Sequence, residues 1–320
     1  MSFPTGIVDA LDPARLRLLV EVDRRGSISA AAEECAVSQP SATKQLKTLE
    51  AAIGEKLVER NGRGSRVTPA GRLVVARGAR VLDTLQGLEE ELDALRGAET
   101  GTLALAASTT SGTYVMPAIL QCFAEKHPGV DVDIAIGSSA WVAGRVAKRD
   151  YSLGIAGETE LPAGVRAEPF LDDELVGIAA PGHLELRRGR APVAELQRWT
   201  LLVREPGSST RSVAERHLAR AGYRPENRWE LDSNEAIKRS VQAGLGIGFV
   251  SRLAVGDELD RGELEEFRIE GAEPMRRSIY LLFPADRDST PSERAFMGAL
   301  SDCCAVKITG CTVDGPNRKR

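Results

Sequence analysis

The chain has 320 residues, 42% of them hydrophobic, and a formal net charge of −4. That length suggests two or three domains, and without a run of about 18 uninterrupted apolar residues no membrane span is expected. The segment MSFPTGIVDALDP carries no Lys or Arg, so neither a secretory signal nor a basic transit peptide is read there. The five cysteines at 35, 122, 303, 304 and 311 form no CxxC pair, so neither a zinc ribbon nor a disulfide framework is indicated, and a reducing cytoplasm is expected.

The negative net charge argues against a nucleic-acid binder until its distribution is considered. Between Ser38 and Arg72 lie seven basic residues (Lys44, Lys47, Lys56, Arg60, Arg63, Arg66, Arg72) and three acidic ones (Glu50, Glu55, Glu59), a local charge of +4. A basic module on an acidic body suits contact with backbone phosphates.

Asp12-Pro13 is an N-cap followed by proline at the first helical position, so a helix starts there and ends at Gly26. Ser27 or Ser29 caps a short second helix through Ala30, Ala31 and Ala32. Ala36-Val37 makes a turn, and Ser38 caps a third helix that runs to about Ala52. Two short helices joined by a tight turn form a helix-turn-helix unit. Residues 56–68 flank the turn Asn61-Gly62-Arg63-Gly64-Ser65 and read as a small hairpin, a wing. Thr68-Pro69 then starts a long helix to about Arg96. In it Val74, Gly78, Val81, Leu85, Leu88, Leu92 and Leu95 fall at alternating spacings of 4 and 3, the a/d seam of a coiled coil. With Gly97 to Gly101 breaking the chain after it, the helix is read as a dimerisation coil with no globular partner adjacent in sequence.

From Thr102 onward strands alternate with helices. Strands are expected over 102–107, 130–136, 152–156, 175–179, 201–203, 228–231, 247–250 and 278–283, and helices near 112–126, 140–149, 211–221, 234–244 and 291–304. Such alternation implies an α/β sheet with helices on its faces, and the span holds two lobes. Residues 305–320 lack periodicity and read as a disordered tail.

The combination Gly26-Ser27, Ala31-Ala32-Glu33, Val37-Ser38-Gln39-Pro40, Lys44-Gln45-Leu46, Leu49-Glu50 and Thr68-Pro69-Ala70-Gly71 resembles the N-terminal domain of LysR-type regulators. The likeness extends over residues 11 to about 300. Two positions depart from the family pattern: Ala42 replaces a bulkier aliphatic residue and Val58 a phenylalanine. The resemblance implies a winged helix-turn-helix over 11–68 (helix-turn-helix 27–46), a linker helix over 69–97, and a periplasmic-binding-protein-like α/β effector domain over 101–304. Lobe one would comprise 101–167 and 273–304, and lobe two 168–272, joined by two crossover strands. The REPGSSTR and SNEAIK strings resemble the branch regulating carbon fixation or sulfur assimilation.

A recognition helix presents its N-terminal residues to the major groove. Ser38, Gln39, Pro40 and Ser41 occupy that position, with Thr43 and Lys44 one turn on. Gln pairs bidentately with adenine, Lys reaches guanine or phosphate, and Pro40 offers an apolar face to a thymine methyl. Arg63 and Arg66 of the wing are further expected DNA contacts. In the effector domain three hydroxyl-rich loops precede helices and offer free amides to an anion. Ser108 and Thr109, then Ser138 and Ser139, would face the ligand from one lobe; Gly207, Ser208, Thr210 and Arg211 would face it from the other.

The expected partners are therefore double-stranded DNA, a small anionic effector, a second or fourth copy of the chain, and RNA polymerase. No cofactor is expected. An enzyme is disfavoured because His127, His183 and His217 have no metal-ligand spacing and no GxSxG or HExxH occurs. An exported solute-binding protein would need a signal peptide. A thiol switch in lobe two is excluded, since 168–272 contains no cysteine.

Overall fold

The computed structural model describes residues 11–61, 64–95 and 100–303. The chain divides into two compact units, 1–98 with 287–291 and 99–286 with 292–320. Arg63 of the wing and the tail from 305 onward lie outside the described residues.

The first unit opens with α1 (Pro13–Arg25), α2 (Ile28–Glu34) and α3 (Gln39–Ile53). Each start is fixed by a side chain of the kind the sequence offers. Asp12 accepts from the Ala14 amide at 2.7 Å, Ser27 from Ala30 at 3.4 Å and Ser38 from Ser41 at 3.4 Å. The turn between α2 and α3 passes through Ala36 at a positive φ of 52°. A hairpin follows, β1 (Val58–Asn61) antiparallel to β2 (Gly64–Val67), and then the 27-residue α4 (Pro69–Leu95). Thr68 ties hairpin to helix: its hydroxyl donates to the Lys56 carbonyl at 2.6 Å and accepts the Gly71 amide at 3.0 Å. A Cβ at Gly71 would sit 2.2 Å from the Leu57 carbonyl oxygen, so only glycine permits this approach.

Leu19, Val22, Leu46, Leu49, Leu57 and Val67 form this unit's core, with Ala42 fully buried among them. The first part of α4 packs on this unit. Val74 packs against that core, and Gly78 lies against Leu16 of α1. Beyond this point Val81, Leu85, Leu88 and Leu92 remain 47, 43, 51 and 43% exposed.

The second unit is built on one mixed sheet. Its strands are β3 (Gly101–Ser108), β4 (Val130–Gly137), β5 (Leu153–Gly157), β6 (Val165–Ala179), β7 (Arg190–Ala191), β8 (Leu201–Arg204), β9 (Arg228–Leu231), β10 (Ile247–Ser251), β11 (Glu265–Ile269) and β12 (Met275–Pro284). The order is β4-β3-β5-β12-β6-β10-β8-β9, with β11 on β6 and β7 on β11. Helices α5 (Thr109–Tyr114), α6 (Met116–Lys126), α7 (Ser139–Ala147), α8 (Val193–Leu196), α9 (Ser209–Arg220), α10 (Asn234–Gln242), α11 (Gly256–Asp260) and α12 (Pro291–Cys303) cover its faces.

Three differences from the expected elements have local causes. The helix read over 112–126 is two helices, with Val115 between them (φ −109°) and Pro117, which has no N–H to continue the ladder of the first, in the opening turn of the second. The strand read over 175–179 is the end of the 15-residue β6, which crosses the whole unit paired antiparallel to β12. Strand β11 has no counterpart among the expected strands; it forms where Glu265–Phe267 find a ladder on β6.

The β6–β12 ribbon carries both lobes. On one side Ile279–Leu282 also pair with β5; on the other, Leu175–Ile178 pair with β10. The register slips between Ile279 and Tyr280, opposite Leu171 and Pro169. Proline supplies no N–H to the ladder, and Phe170, the extra residue, drops into the lobe-one core beside Leu105, Phe123 and Phe296. Lobe two has its own core around Leu201, Val213, Phe249 and Phe267.

Candidate functional site

The first candidate surface is the start of α3. Ser38, Gln39, Pro40 and Lys44 are exposed, while Ser41 and Thr43 are half-buried, and Arg66 is exposed on β2. Within this group Thr43 donates to the Gln39 carbonyl at 3.0 Å, and the Gln39 amide approaches the Thr43 hydroxyl at 3.4 Å. The polar ends therefore lie together on one open helix face. Glu50 supports it from behind, a residue with no expected role beyond its place in the family motif. Its carboxylate accepts the Leu57 and Val58 amides at 2.9 and 3.3 Å and binds Lys56 at 2.9 Å. Burial works to raise its pKa, but Lys56 and the two amides outweigh burial and hold it below the ordinary value. Glu50 thus stays ionised and pins the hairpin to the end of α3.

The second candidate is a narrow cavity between the two lobes of the second unit, with free space of about 10 Å³. Ser108, Thr109, Thr110, Gly137, Ser138 and Ser139 line it from lobe one; Arg204, Ser208, Ser209 and Thr210 line it from lobe two, and Arg277 reaches it from the ribbon. The three expected loops thus converge. Six of the eight sequence-predicted residues (Ser108, Thr109, Ser138, Ser139, Ser208 and Thr210) are in the lining. Gly207 sits one step behind: its carbonyl accepts the Ala140 amide at 3.1 Å, joining the lobes through the backbone. Its φ of +84° is the left-handed value that lets the chain turn into α9.

Arg211 is placed elsewhere. Its guanidinium bonds Glu215 at 3.0 Å, Glu230 at 2.8 Å and the Arg204 carbonyl at 3.0 Å. Burial works to lower its pKa, but these carboxylates overcome that and raise it. The cationic groups at the cavity are instead Arg204 and Arg277, 2% and 5% exposed, neither singled out from the sequence. Both carry a faint signal: Arg204 opens the REPGSSTR loop, and Arg277 occupies an inward position of an alternating strand.

Arg204 also crosses between lobes. It donates to Thr109 at 3.1 Å and to Asn234 at 2.9 Å, and Asn234 donates to Thr110 at 3.1 Å. Farther out the Tyr114 hydroxyl donates to Glu235 at 2.9 Å, and the Lys238 ammonium lies 5.5 Å from the Tyr114 ring centre. Burial and the bond to Glu235 push the Tyr114 phenol up to about 12. Ser209, 3% exposed, lines the cavity with no hydrogen-bond partner for its hydroxyl. Two helices of at least eight residues, α7 and α9, point their N-termini at the cavity, with Ser138 and Ser208 at their caps. Such ends, with hydroxyls and buried guanidiniums, suit an anion.

Residues 13–72 match the bacterial regulatory helix-turn-helix family of lysR type, and residues 96–305 match the LysR substrate binding domain. The chain belongs to the LysR family of helix-turn-helix transcriptional regulators. A RuBisCO operon transcriptional regulator of Acidithiobacillus ferrooxidans is 33% identical over 94% of this chain and 97% of its own. HTH-type transcriptional regulator CbbR of Rhodospirillum rubrum is 31% identical over 89% of this chain and 94% of its own. Both agree with the carbon-fixation likeness read from REPGSSTR and SNEAIK. Among solved structures, a full-length OxyR variant from Pseudomonas aeruginosa superposes with a TM-score of 0.75 over 93% of this chain and 97% of its own, at 22% identity, a likeness of fold alone. The regulatory domain of Synechocystis PCC6803 CcmR in complex with 2-PG covers 65% of this chain and 98% of its own, with a TM-score of 0.59 and 30% identity.

Proposed function

We propose that this LysR-family regulator binds operator DNA through Ser38, Gln39, Pro40, Ser41, Thr43, Lys44, Arg63 and Arg66, and that a small anionic metabolite held between its effector lobes modulates that binding. The observation carrying the second half is the cavity where six predicted hydroxyl and amide positions meet two buried guanidiniums. The likeness to the CcmR regulatory domain, whose structure is in complex with 2-PG, favours the same reading. The protein acts in the cytoplasm by binding rather than catalysis, as a homodimer or homotetramer joined through α4, with RNA polymerase as its downstream partner. The similarity to carbon-fixation regulators favours target genes of that kind.

A mobility-shift assay against the DNA upstream of the protein's own gene tests both halves. Gln39→Ala should lose about 1–3 kcal/mol of binding and relax base preference, as expected for a bidentate base contact. Adding 2-PG or inorganic phosphate should shift the wild-type curve. Equal affinity of wild type and Gln39→Ala would overturn the DNA contacts, and indifference to every small anion would overturn the effector reading.

A further inference from the structure

The wing is a ribbon of two four-residue strands, and a lone two-stranded ribbon is marginal in water. Val58 and Val67 pack at its base; hydrogen bonds to three different elements supply the rest of its hold. At the base Glu50, in the last turn of α3, accepts the Leu57 and Val58 amides at 2.9 and 3.3 Å. At the exit Thr68 bonds the Lys56 carbonyl and the Gly71 amide at the start of α4. The third seat lies near the start of β2. There the Ser65 amide donates to the Gly26 carbonyl at 2.8 Å, so β2 has β1 on one edge and the α1–α2 turn on the other. A Cβ on Gly64, beside that bond, would lie 2.7 Å from the same Gly26 oxygen. Carbon–oxygen approaches in proteins are ordinarily no shorter than about 3.3 Å. A side chain at 64 therefore lifts the hairpin off this seat.

We propose that Gly64 is a positioning residue for DNA binding: by seating β2 on the α1–α2 turn it presets the arm that carries Arg66. The inference rests on reading Arg63 and Arg66 as DNA contacts. Arg66 is exposed and directly follows the seated Ser65, so its backbone goes where the seat puts it. Gly26 closes α1 and Ser27 caps α2, the first helix of the helix-turn-helix. The seat thus ties the wing to the same body that carries α3, and wing and recognition helix meet DNA as one piece. An arm ordered before binding does not have to be ordered by it, and the entropy spared appears as affinity. Arginine contacts to the DNA backbone add affinity to every sequence alike, whereas base preference belongs to α3. Losing the seat should weaken binding to all DNA and leave discrimination between sequences where it was.

The test is a mobility-shift titration of the full-length protein against the DNA upstream of its own gene and against a scrambled duplex. Gly64→Ala is made in the wild type and in the Arg63→Ala/Arg66→Ala double variant. In the wild type it should weaken both duplexes about three- to tenfold, the cost of ordering a long side chain and its loop on binding, with the ratio between the duplexes kept. In the wing without arginines it should cost less than about twofold, because nothing remains there to position. Glu50→Ala, which opens the seat at the base, should repeat the pattern. Melting curves identify a variant that fails to fold; the other then decides. A folded variant that binds like wild type overturns the inference while the wing contacts stand. An equal loss in both backgrounds also overturns it, because the glycine would then act through the unit as a whole and not through the arginines. If Arg63→Ala/Arg66→Ala alone binds both duplexes like wild type, the wing contacts and this inference fall together.

Discussion

Replacing Leu85 and Leu88 with Asp tests whether the outer part of α4 joins two copies of the chain. These side chains are 43 and 51% exposed, flanked by Val81 and Leu92 at 47 and 43%. Burying a leucine fully is worth about 1.5–3 kcal/mol, so the half still open represents about 1 kcal/mol per side chain. Two leucines in each of two chains give about 4 kcal/mol, close to three decades in dissociation constant. The aspartates add a desolvation cost, since four carboxylates would enter an apolar seam. Light scattering over a range of concentrations should therefore show the double variant at monomer mass where wild type is a dimer or larger. The two positions lie beyond Gly78, where α4 leaves Leu16, so the DNA-binding core should keep its stability. An unchanged mass would refute the reasoning and make the exposed seam a face that no second copy covers.

Two further predictions concern the second unit. Asp173→Ala takes the carboxylate from the buried Arg277 guanidinium, which keeps its bond to Thr210 at 3.0 Å, and the acceptor from the Ser251 hydroxyl, which should cost about 3–5 kcal/mol. All three tryptophans (141, 199 and 229) lie in this unit, so urea unfolding followed by their fluorescence reads it directly; a loss below about 1 kcal/mol would contradict a dry ion pair. The phenols of Tyr114 and Tyr223 are both pushed up to about 12, Tyr223 by burial and Tyr114 by burial with its bond to Glu235. The folded state keeps these protons longer than the unfolded chain, whose phenols ionise near about 10. Their contribution is thus complete below about pH 10 and is lost as pH rises through about 12. Ultraviolet titration should show Tyr114→Phe removing one phenol from the group ionising near 12, and no change there would refute it.

What the sequence made legible was local. Asp12, Ser27, Ser38 and Thr68 announce helix starts because capping involves only the next two or three amides, and the hydroxyl loops after β3, β4 and β8 are visible for the same reason. What it hid depends on distant partners. Residues 165–174 include Pro169 and the run Asp172-Asp173-Glu174, a poor strand by composition; they extend only because β12, about a hundred residues later, supplies the ladder and Arg277 supplies the charge. Arg211 looks well placed as the third residue of α9, but Glu215 one turn on and Glu230 on β9 draw it away from the cavity. Proximity along the chain reveals the helix end; it does not reveal the direction of a long side chain.

The arrangement also bears on how a ligand would act. The free space between the lobes is about 10 Å³, room for about one water, so a ligand must part the lobes to enter. Both arginines already have carboxylate partners, and net charge alone therefore cannot draw an anion in. Affinity must come from the amides at α7 and α9 and the surrounding hydroxyls. Those groups belong to different lobes: α7 to one, α9 to the other. The lobes meet through directional bonds, among them Ala140 to Gly207, Arg204 to Thr109, Asn234 to Thr110, Tyr114 to Glu235 and Arg216 to Glu158. A ligand that bonded one lobe alone would bind equally well whatever the lobe angle and would shift nothing. One that draws on both favours the angle at which all its bonds are made. Because Arg204 belongs both to the cavity lining and to the contact between lobes, a ligand that engaged it would tie occupancy to that angle through a single side chain.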